Sequence, residues 1–222
     1  MAPRWLKAAY YGLLSPAMRL NSARHRAIAS VLRRSRRAHL GPGQRNYLAG
    51  WINVDANMLS AKTDVWADLR FRLPFPVESL DAVYSHHVIE HLPDLDRHFH
   101  ELYRCLRPGG VLRVGGPHGD NAIQAFVEQD LGWFGDWPTR RSSIGGRFEN
   151  FIFCKGEHLT ILTESFLREL AEDVGFVDFR VASPGKTDYP EYFGNEVMVV
   201  EPNDRPDRPS TLLIEARKPT GS

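Results

Sequence analysis

The feature that most constrains the fold is a series of short apolar runs that end abruptly in glycine or aspartate. The first run stops at Gly41, the second at Asp55 and the third just before Asp68. Apolar runs bounded by turn residues are typical of buried strands. The predicted strands cover residues 38–40, 51–55, 63–66, 80–85, 111–114, 176–182 and 211–216. Because helices or long crossovers separate most of them, the pattern predicts a doubly wound, mostly parallel α/β sheet.

Helices are predicted where apolar residues recur every three or four positions. The predicted helices cover residues 3–20, 22–37, 86–92, 94–106 and 164–174. Breaks are expected near Ser15-Pro16 and Asn21, with Ser22 as the N-cap of the second helix. Residues 120–157 are predicted to be irregular and are rich in aromatic side chains.

The length of the sequence indicates the number of domains, and its charge distribution indicates which roles the N-terminal segment can have. The 222 residues fit one domain better than two, so we expect an N-terminal helical extension over residues 1–37 and one domain over residues 38–222. The first 54 residues hold ten of the 28 Lys and Arg residues and none of the 27 Asp and Glu residues. Such a start is found in targeting segments, nucleic-acid arms and membrane-surface helices. The interpretation we favour is a helical extension whose basic face is solvated or covers an anionic pocket.

Neither a membrane span nor a disulfide framework is predicted. No stretch approaches the ~20 consecutive apolar residues of a spanning helix. Cys105 and Cys154 form neither a metal-binding pair nor a disulfide pattern, so a reducing cytoplasm is the expected compartment.

The predicted strand ends outline an adenosine site, because ligands of open α/β sheets lie beyond the carboxyl ends of the strands. Gly41 and Gly43 let the backbone approach a ligand closely. Asp55 can accept two hydrogen bonds from a ribose diol. Asp68 can accept one from an adenine amine while Leu69 covers the ring. The dinucleotide fingerprint is incomplete, since its third glycine is replaced and its acidic residue comes early, which argues against NAD.

The run from His39 to Pro117 resembles the class I S-adenosylmethionine-dependent methyltransferases of the methyltransferase domain 11 kind. The matching pieces are LGPG, GWINVDA, DLRFRLPFPVESLDAVYSHHVIEHL and LYRCLRPGGVLRVGGP, followed by EHLTILTESFLRELAEDVGF. The resemblance implies a seven-stranded sheet whose last strand is antiparallel, with S-adenosylmethionine as the cofactor. It implies that the methionine part is contacted by Leu40, Gly41, Pro42 and Gly43, the ribose by Asp55, the adenine by Asp68 and Leu69, and the sulfonium by Ser85, His86 and His87. His39 departs from the acidic or amidic residue common at its position, so no contact to the cofactor's amino group is carried over.

A general base is expected for a hydroxyl acceptor, since it contributes ~10²–10⁴-fold to the rate and histidine is the usual base near pH 7. The first candidate is His118, which directly follows the fifth predicted strand. His86, after the fourth strand, and His158, beside Glu157, are the second and third candidates.

No metal ligand is assigned from the sequence. Residues 87–91, HVIEH, match the H-x-x-E-H pattern of inverted zinc proteases. No ligand-bearing helix follows, and HVLEH is common in the family, so we interpret these histidines as structural. As an alternative, Asp120 with His118 or Glu157 could hold Mg²⁺ against a sugar diol, although solvated carboxylates are the interpretation we favour.

The acceptor is expected to bind the aromatic insertion, residues 121–157, because class I enzymes usually form their acceptor pocket or its lid there. The predicted contacts are Trp133, Trp137, Arg147 and Phe151, since rings pack on sugar C–H faces and guanidinium groups bind hydroxyls or anions.

The expected activity is O-methylation of a small molecule, most simply a saccharide. The composition, rich in Arg, Ala and Trp with few Lys, resembles that of proteins from high-GC bacteria such as actinomycetes. The sequence features together resemble the small sugar methyltransferases found there, among them those that cap the 1-hydroxyl of short 3-O-methylmannose chains. A net charge of +1 argues against a nucleic-acid acceptor. An RNA or lipid-linked acceptor, or a non-catalytic cofactor-binding partner subunit, is an alternative, and a homodimer through the N-terminal helices is a further hypothesis.

Overall fold

The computed structural model describes residues 4–58, 61–201 and 205–221, so residues 1–3 of the predicted extension lie outside it. The strands are β1 (Arg37–Leu40), β2 (Ile52–Asp55), β3 (Val65–Trp66), β4 (Leu80–His86), β5 (Leu106–Pro117), β6 (Val177–Ala182) and β7 (Thr211–Arg217). They form a seven-stranded sheet in the order β3-β2-β1-β4-β5-β7-β6. Neighbours pair in parallel, except that β7 runs antiparallel to β5 and β6. The predicted fold class is confirmed, including the antiparallel last strand.

The central strands are near-continuous apolar runs because both faces of the sheet are covered. On one face, α2 (Leu95–Cys105) and α5 (Glu164–Asp173) pack Phe99, Leu102 and Leu167 against the strands. The other face carries a smaller cluster that includes Trp51, Tyr84, Phe193 and Val197. The two helices lie within one residue of their predicted bounds, because each begins at a side-chain cap.

The predicted break in the N-terminal region is wrong. A single helix, α1 (Arg4–Ile28), runs through Ser15-Pro16. Pro16 is exposed, so the Gly12 carbonyl that it leaves without a helical donor can bind water. Ser22 is not an N-cap, because its Oγ donates to a main-chain carbonyl one turn earlier, 2.9 Å away.

Two further predictions are corrected. Residues 120–157 are not irregular, because they contain α3 (Gly119–Val127) and α4 (Ile144–Phe153), which pack on each other around an aromatic cluster. The helix predicted over residues 86–92 is reduced to one 3₁₀ turn, Ile89–His91. A short helix, α6 (Asn195–Met198), lies between β6 and β7. None of the helices in the described ranges is both long and apolar enough to span a membrane.

Three histidines are buried in the core of the fold. His39 and His86 lie on β1 and β4, and His98 lies on α2. Burial lowers the pKa of His39 and His98 to about 4 and the pKa of His86 to about 3. In the unfolded chain such rings protonate near pH 6.5. The unfolded state therefore binds more protons than the folded state between about pH 6.5 and 4, and stability falls as the pH falls through that window.

A buried ion network ties the loop after β6 to the centre of the sheet. Arg113 of β5 is fully buried and donates to Glu201 at 2.7 Å and to Glu215 of β7 at 2.6 Å. The loop adds further donors, since the amide of Gly185 binds Glu201 and the hydroxyl of Thr187 binds Glu215. Buried charges are tolerated when they are paired and hydrogen-bonded, so this network holds the loop against the sheet.

We expect Arg113→Ala to lower the free energy of unfolding by about 3–5 kcal/mol, because it leaves two carboxylates buried without their cation. Urea denaturation measures the loss. Arg168→Ala, at an exposed ion pair on α5, is the control and should have a much smaller effect. A loss for Arg113→Ala no larger than the control's would show that the network does not stabilise the fold.

We also expect the free energy of unfolding to decrease when the pH is lowered from 7 to 5. Each neutral buried histidine contributes up to ~1.4 kcal/mol per pH unit to this slope. Urea denaturation at pH 7, 6 and 5 measures the slope. His98→Leu should flatten it by up to that amount, whereas His100→Leu, exposed on the same helix, should not. Equal slopes for His98→Leu and the unsubstituted protein would contradict the assignment.

Candidate active site

Four strand ends meet at one edge of the sheet. In the pairing register, Leu40 at the end of β1 lies beside Val54 of β2 and Ser85 of β4. His86 of β4 lies in turn beside Gly115 of β5. The loops that leave these strands are therefore neighbours at the edge where ligands of open α/β sheets bind.

The glycine loop after β1 has the backbone that the sequence predicts. Gly41 and Gly43 adopt left-handed φ angles of 74° and 56°. A Cβ at position 41 would lie 2.3 Å from Cγ2 of Val88, so glycine is required for this loop to approach the turn after β4. A Cβ at position 43 would have no atom within 4 Å, so the space beside that backbone is open.

Asp55, at the end of β2, is held by main-chain amides. Its Oδ2 accepts from the amide of Gly43 at 3.0 Å and its Oδ1 from the amide of Asn57 at 2.8 Å. Burial raises the pKa of Asp55, and the neighbouring amides oppose that rise. Each oxygen keeps a second lone pair, which is what two hydroxyls of a ribose diol require.

Asp68, the predicted partner of adenine, is already engaged with four donors. Its Oδ1 accepts from the amide and Nε of Arg70 at 3.1 and 2.9 Å, and its Oδ2 from Arg70 Nη2 and Ser15 Oγ, both at 2.7 Å. Burial raises the pKa of Asp68, but these hydrogen bonds outweigh burial and hold the pKa below its ordinary value. Since the residue is 2% exposed, a ligand amine can reach the carboxylate only if a donor gives way.

Helix α1 lies across the ends of β2 and β3, an arrangement that sequence reasoning missed. The hydroxyl of Tyr10 donates to the carbonyl of Ala56 at 2.6 Å, and Asn21 donates to the carbonyl of Trp66 at 2.8 Å. The ring of Tyr11 lies against the guanidinium of Arg70, 4.0 Å from ring centre to Cζ. These contacts join residues more than 40 positions apart, so no local periodicity could indicate them.

The three residues predicted to flank the sulfonium lie in different surroundings. Ser85 is buried, and its Oγ donates to the carbonyl of Leu40 at 3.4 Å. His86 is also buried, and a pKa of about 3 makes it a poor proton acceptor. His87 is exposed, with a φ of 55°, and its Nδ1 donates to Glu90 Oε1 at 3.2 Å.

His118, the first candidate for the base, caps α3 with its side chain. Its Nδ1 accepts from the amide of Asn121 at 3.4 Å, so the neutral ring carries its proton on Nε2. That atom then has no lone pair with which to accept a proton. Burial lowers the pKa of His118, although Asp120 and Glu164 oppose this. The geometry does not favour His118 as a base acting through Nε2.

His158 and His91 have the opposite tautomer and lie together. Nδ1 of His158 donates to the carbonyl of Ile152 at 2.9 Å, and Nδ1 of His91 donates to the carbonyl of Glu157 at 2.8 Å. A carbonyl only accepts, so in each neutral ring Nε2 carries the lone pair. Burial lowers the pKa of His158, although Glu90 opposes this, so the His158 ring is neutral near pH 7. The two rings pack edge to face, with 4.9 Å between centroids.

The predicted acceptor residues divide into buried and exposed side chains. Trp133 is buried, its Nε1 donates to the carbonyl of Arg208 at 2.9 Å, and the ring of Phe151 packs against it. Arg147, on α4, donates to the main-chain carbonyls of Leu131, Phe134 and Arg141, and so holds the loop that precedes α4 in place. Trp137 is 69% exposed and presents an open ring.

The structure does not support the Mg²⁺ alternative. Asp120 accepts from the amide of Glu164 at 2.9 Å, and Glu157 pairs with Lys7 of α1. Within the described ranges, the side chains close enough together to share a metal ion are Glu90, His91 and His158.

Part of the sequence matches known methyltransferases. The family model for the "Methyltransferase domain" matches residues 51–114. Over 43 residues the chain is 44% identical to the sterol 24-C-methyltransferase of Aspergillus fumigatus, and over 46 residues it is 48% identical to a "Probable S-adenosylmethionine-dependent methyltransferase" of Mycolicibacterium smegmatis. These segments make up 19% and 21% of this chain. They make up 11% and 18% of those two proteins, so the chain spans less than a fifth of the length of either.

The fold is shared with solved methyltransferase structures. An S-adenosylmethionine-dependent methyltransferase of Mesorhizobium loti is 19% identical, with 84% of this chain and 95% of that chain covered and a TM-score of 0.51. One from Archaeoglobus fulgidus is 17% identical, with 94% and 100% covered and a TM-score of 0.51. At these identities the likeness shows the fold. The chain thus has the fold of the class I S-adenosylmethionine-dependent methyltransferases and carries a methyltransferase-domain sequence over residues 51–114.

Proposed function

We propose that this chain is a methyltransferase that uses S-adenosylmethionine to methylate a hydroxyl group of a small saccharide. The observation that carries the proposal is the position of Gly41, Gly43 and Asp55 at adjoining strand ends of a class I fold. When bound, S-adenosylmethionine supplies an electrophilic methyl group on a sulfonium. The protein then has to orient the acceptor, which is worth up to ~7–11 kcal/mol, and to provide for loss of the hydroxyl proton.

The residues at the strand ends fit an adenosine ligand. Asp55 offers one free lone pair per oxygen to a ribose diol, and the open space beside Gly43 leaves that backbone accessible. Asp68 stays our proposed partner for the adenine amine, with Leu69 beside the ring. This assignment requires Ser15 or another donor to release the carboxylate.

On the acceptor side we favour His158 over His118 and His86. Its Nε2 carries a lone pair that can take the hydroxyl proton, and its Nδ1 is fixed by the carbonyl of Ile152. The corresponding atom of His118 carries a proton, and His86 is buried with a strongly lowered pKa.

A saccharide acceptor is supported by the open ring of Trp137. The carbonyl of this residue accepts from Asn150 of α4, and α4 leads directly to His158. The backbone of Trp137 is therefore anchored to the helix that precedes the proposed proton acceptor, and its exposed ring can stack on the C–H face of a sugar.

A lipid-linked saccharide is a second candidate, favoured by the outer side of α1. Leu6, Leu13 and Leu20 follow one another at intervals of seven residues, and all three are exposed. An exposed apolar row on a helix that contains basic and no acidic residues is typical of helices that lie on a membrane surface.

We expect Asp55→Ala to weaken cofactor binding by at least about tenfold, because each charge-assisted hydrogen bond to the ribose contributes ~1.5–3 kcal/mol. Calorimetry with S-adenosylmethionine and S-adenosylhomocysteine measures the affinity. Asp96→Ala, at an exposed position on α2, is the control. Unchanged affinity in a folded Asp55→Ala protein would sink the proposed site. Failure of the unsubstituted protein to bind either ligand would leave only a shared fold.

We expect Trp137→Ala to raise KM for a saccharide by about 2–10-fold with little change in kcat, because an aromatic contact is worth ~0.5–1.5 kcal/mol. Methyl transfer is assayed first on mannosides, beginning with short 3-O-methylmannosides that have a free 1-hydroxyl, and then on lipid-linked sugars and RNA. Trp5→Ala, exposed on α1, is the control. An unchanged KM for Trp137→Ala, or turnover confined to RNA, would contradict the saccharide assignment.

A further inference from the structure

We propose that Glu90, His91 and His158 form a binding site for one divalent transition-metal ion of the Zn²⁺ and Co²⁺ class. Each side chain offers one ligand atom, and these atoms lie within 4.8 Å of one another. Two imidazoles and one carboxylate make up the protein ligands of several catalytic zinc and non-haem iron sites, which keep further positions open. The site lies in the turn after β4 and in the segment after α4, at the edge of the sheet described above.

Both histidines are already held as metal ligands usually are. Nδ1 of His91 donates to the carbonyl of Glu157, and Nδ1 of His158 donates to the carbonyl of Ile152. In metal sites, a hydrogen bond from the second ring nitrogen fixes the tautomer and directs the free nitrogen at the ion. Nε2 of His91 lies 3.8 Å from Oε1 of Glu90, and a ligand atom of His158 lies within 4.8 Å of those of the other two residues.

The buried carboxylate of Glu90 provides a second, independent observation in favour of the metal site. It is 1% exposed, and its Oε2 has no hydrogen-bond partner among the described residues. Its Oε1 lies 3.2 Å from Nδ1 of His87 and 3.8 Å from Nε2 of His91. A buried carboxylate with an unsatisfied oxygen is costly, and a cation would remove that cost.

The backbone around Glu90 makes room for its carboxylate. A Cβ at position 116 of β5 would lie 2.8 Å from Oε2 of Glu90 and 2.7 Å from a methyl group of Leu162. Gly116 is therefore needed for the glutamate to occupy this position, although nothing in the pairing of β5 requires a glycine there.

The ligand set selects the class of ion. Imidazole nitrogens suit Zn²⁺, Co²⁺, Fe²⁺ and Ni²⁺, whereas Mg²⁺ prefers oxygen ligands and retains water. Bonds of about 2.0–2.1 Å place neighbouring tetrahedral ligands about 3.4 Å apart, closer than the widest separation here. The side chain of His91 is 41% exposed, so its ring has room to shift toward the ion, at the expense of part of its bond to the carbonyl of Glu157.

The role of the ion, unlike its binding, rests on the proposed function. When bound, the ion would lower the pKa of an acceptor hydroxyl at its open position. The hydroxyl proton would pass to water, and the oxygen would form a bond to the methyl carbon as the S–C bond of the sulfonium breaks and S-adenosylhomocysteine leaves as a thioether. In the metal-bound protein, Nε2 of His158 is a metal ligand, so it does not take the hydroxyl proton itself as it would in the metal-free protein.

The test is a titration of the chelator-treated, full-length protein with Co²⁺, followed by visible d–d absorption. We expect one Co²⁺ per chain, displaced by Zn²⁺ and not by Mg²⁺. His91→Ala, His158→Ala and Glu90→Gln should each weaken Co²⁺ binding by at least about 100-fold, since changes even to supporting residues cost 10–100-fold. His100→Ala, exposed on α2, is the matched control and should bind as the unsubstituted protein does.

S-adenosylhomocysteine binding, measured on every variant, separates this proposal from the proposed function and shows that each variant is folded. Lost Co²⁺ binding with retained S-adenosylhomocysteine binding supports the metal site. Retained Co²⁺ binding in the doubly substituted His91→Ala, His158→Ala protein overturns it, as does the absence of a Co²⁺ spectrum in the folded, unsubstituted protein. If the unsubstituted protein binds Co²⁺ but not S-adenosylhomocysteine, the metal site is supported and only the cofactor proposal is contradicted.

Discussion

The parallel register of β1, β4 and β5 is the constraint on which the site depends. Strands that run in the same direction bring their carboxyl ends to one edge and require crossover connections. Because Leu40 is level with Ser85, and His86 with Gly115, the glycine loop after β1 touches the turn that carries Glu90. A slip of one residue would turn every side chain of β4 to the opposite face and would separate these two groups.

The buried carboxylates of Glu201, Glu215, Asp68 and Glu90 have different kinds of partner. Glu201 and Glu215 share one buried guanidinium, that of Arg113, so their charge is matched inside the core. Asp68 is surrounded by donors from its own loop and from α1. Glu90 differs from both, because its partners are histidines and its Oε2 has no hydrogen-bond partner within the part of the chain that the structure describes. The network around Arg113 stabilises the fold, whereas Asp68 and Glu90 lie at the edge where the strand ends meet.

Local chemistry explains which parts could be predicted from the sequence. The positions of Gly41 and Asp55 at strand ends could be predicted because each residue directly follows or ends an apolar run. The helices α2 and α5 could be predicted because their cap residues and periodic apolar positions are also local signals. The bond from Ser15 to Asp68 could not be predicted, since it joins residues 53 positions apart. The tautomer of His158 could not be predicted for a similar reason, because it depends on a main-chain carbonyl six positions away that no sequence pattern reveals. The helices α3 and α4 were not predicted, because the aromatic rings of this segment pack mainly on one another.

The docking of α1 has a consequence for local opening of the protein. The helix contains Pro16 and no acidic residue, its outer leucines face solvent, and side-chain hydrogen bonds from its inner side attach it to the sheet edge. Segments with few buried contacts open with free energies below that of global unfolding. Undocking of α1 removes the Ser15 donor from Asp68 without disturbing the pairing of the strands. Such opening would leave Arg70 Nη2 as the remaining donor to Oδ2 of Asp68 among the described residues.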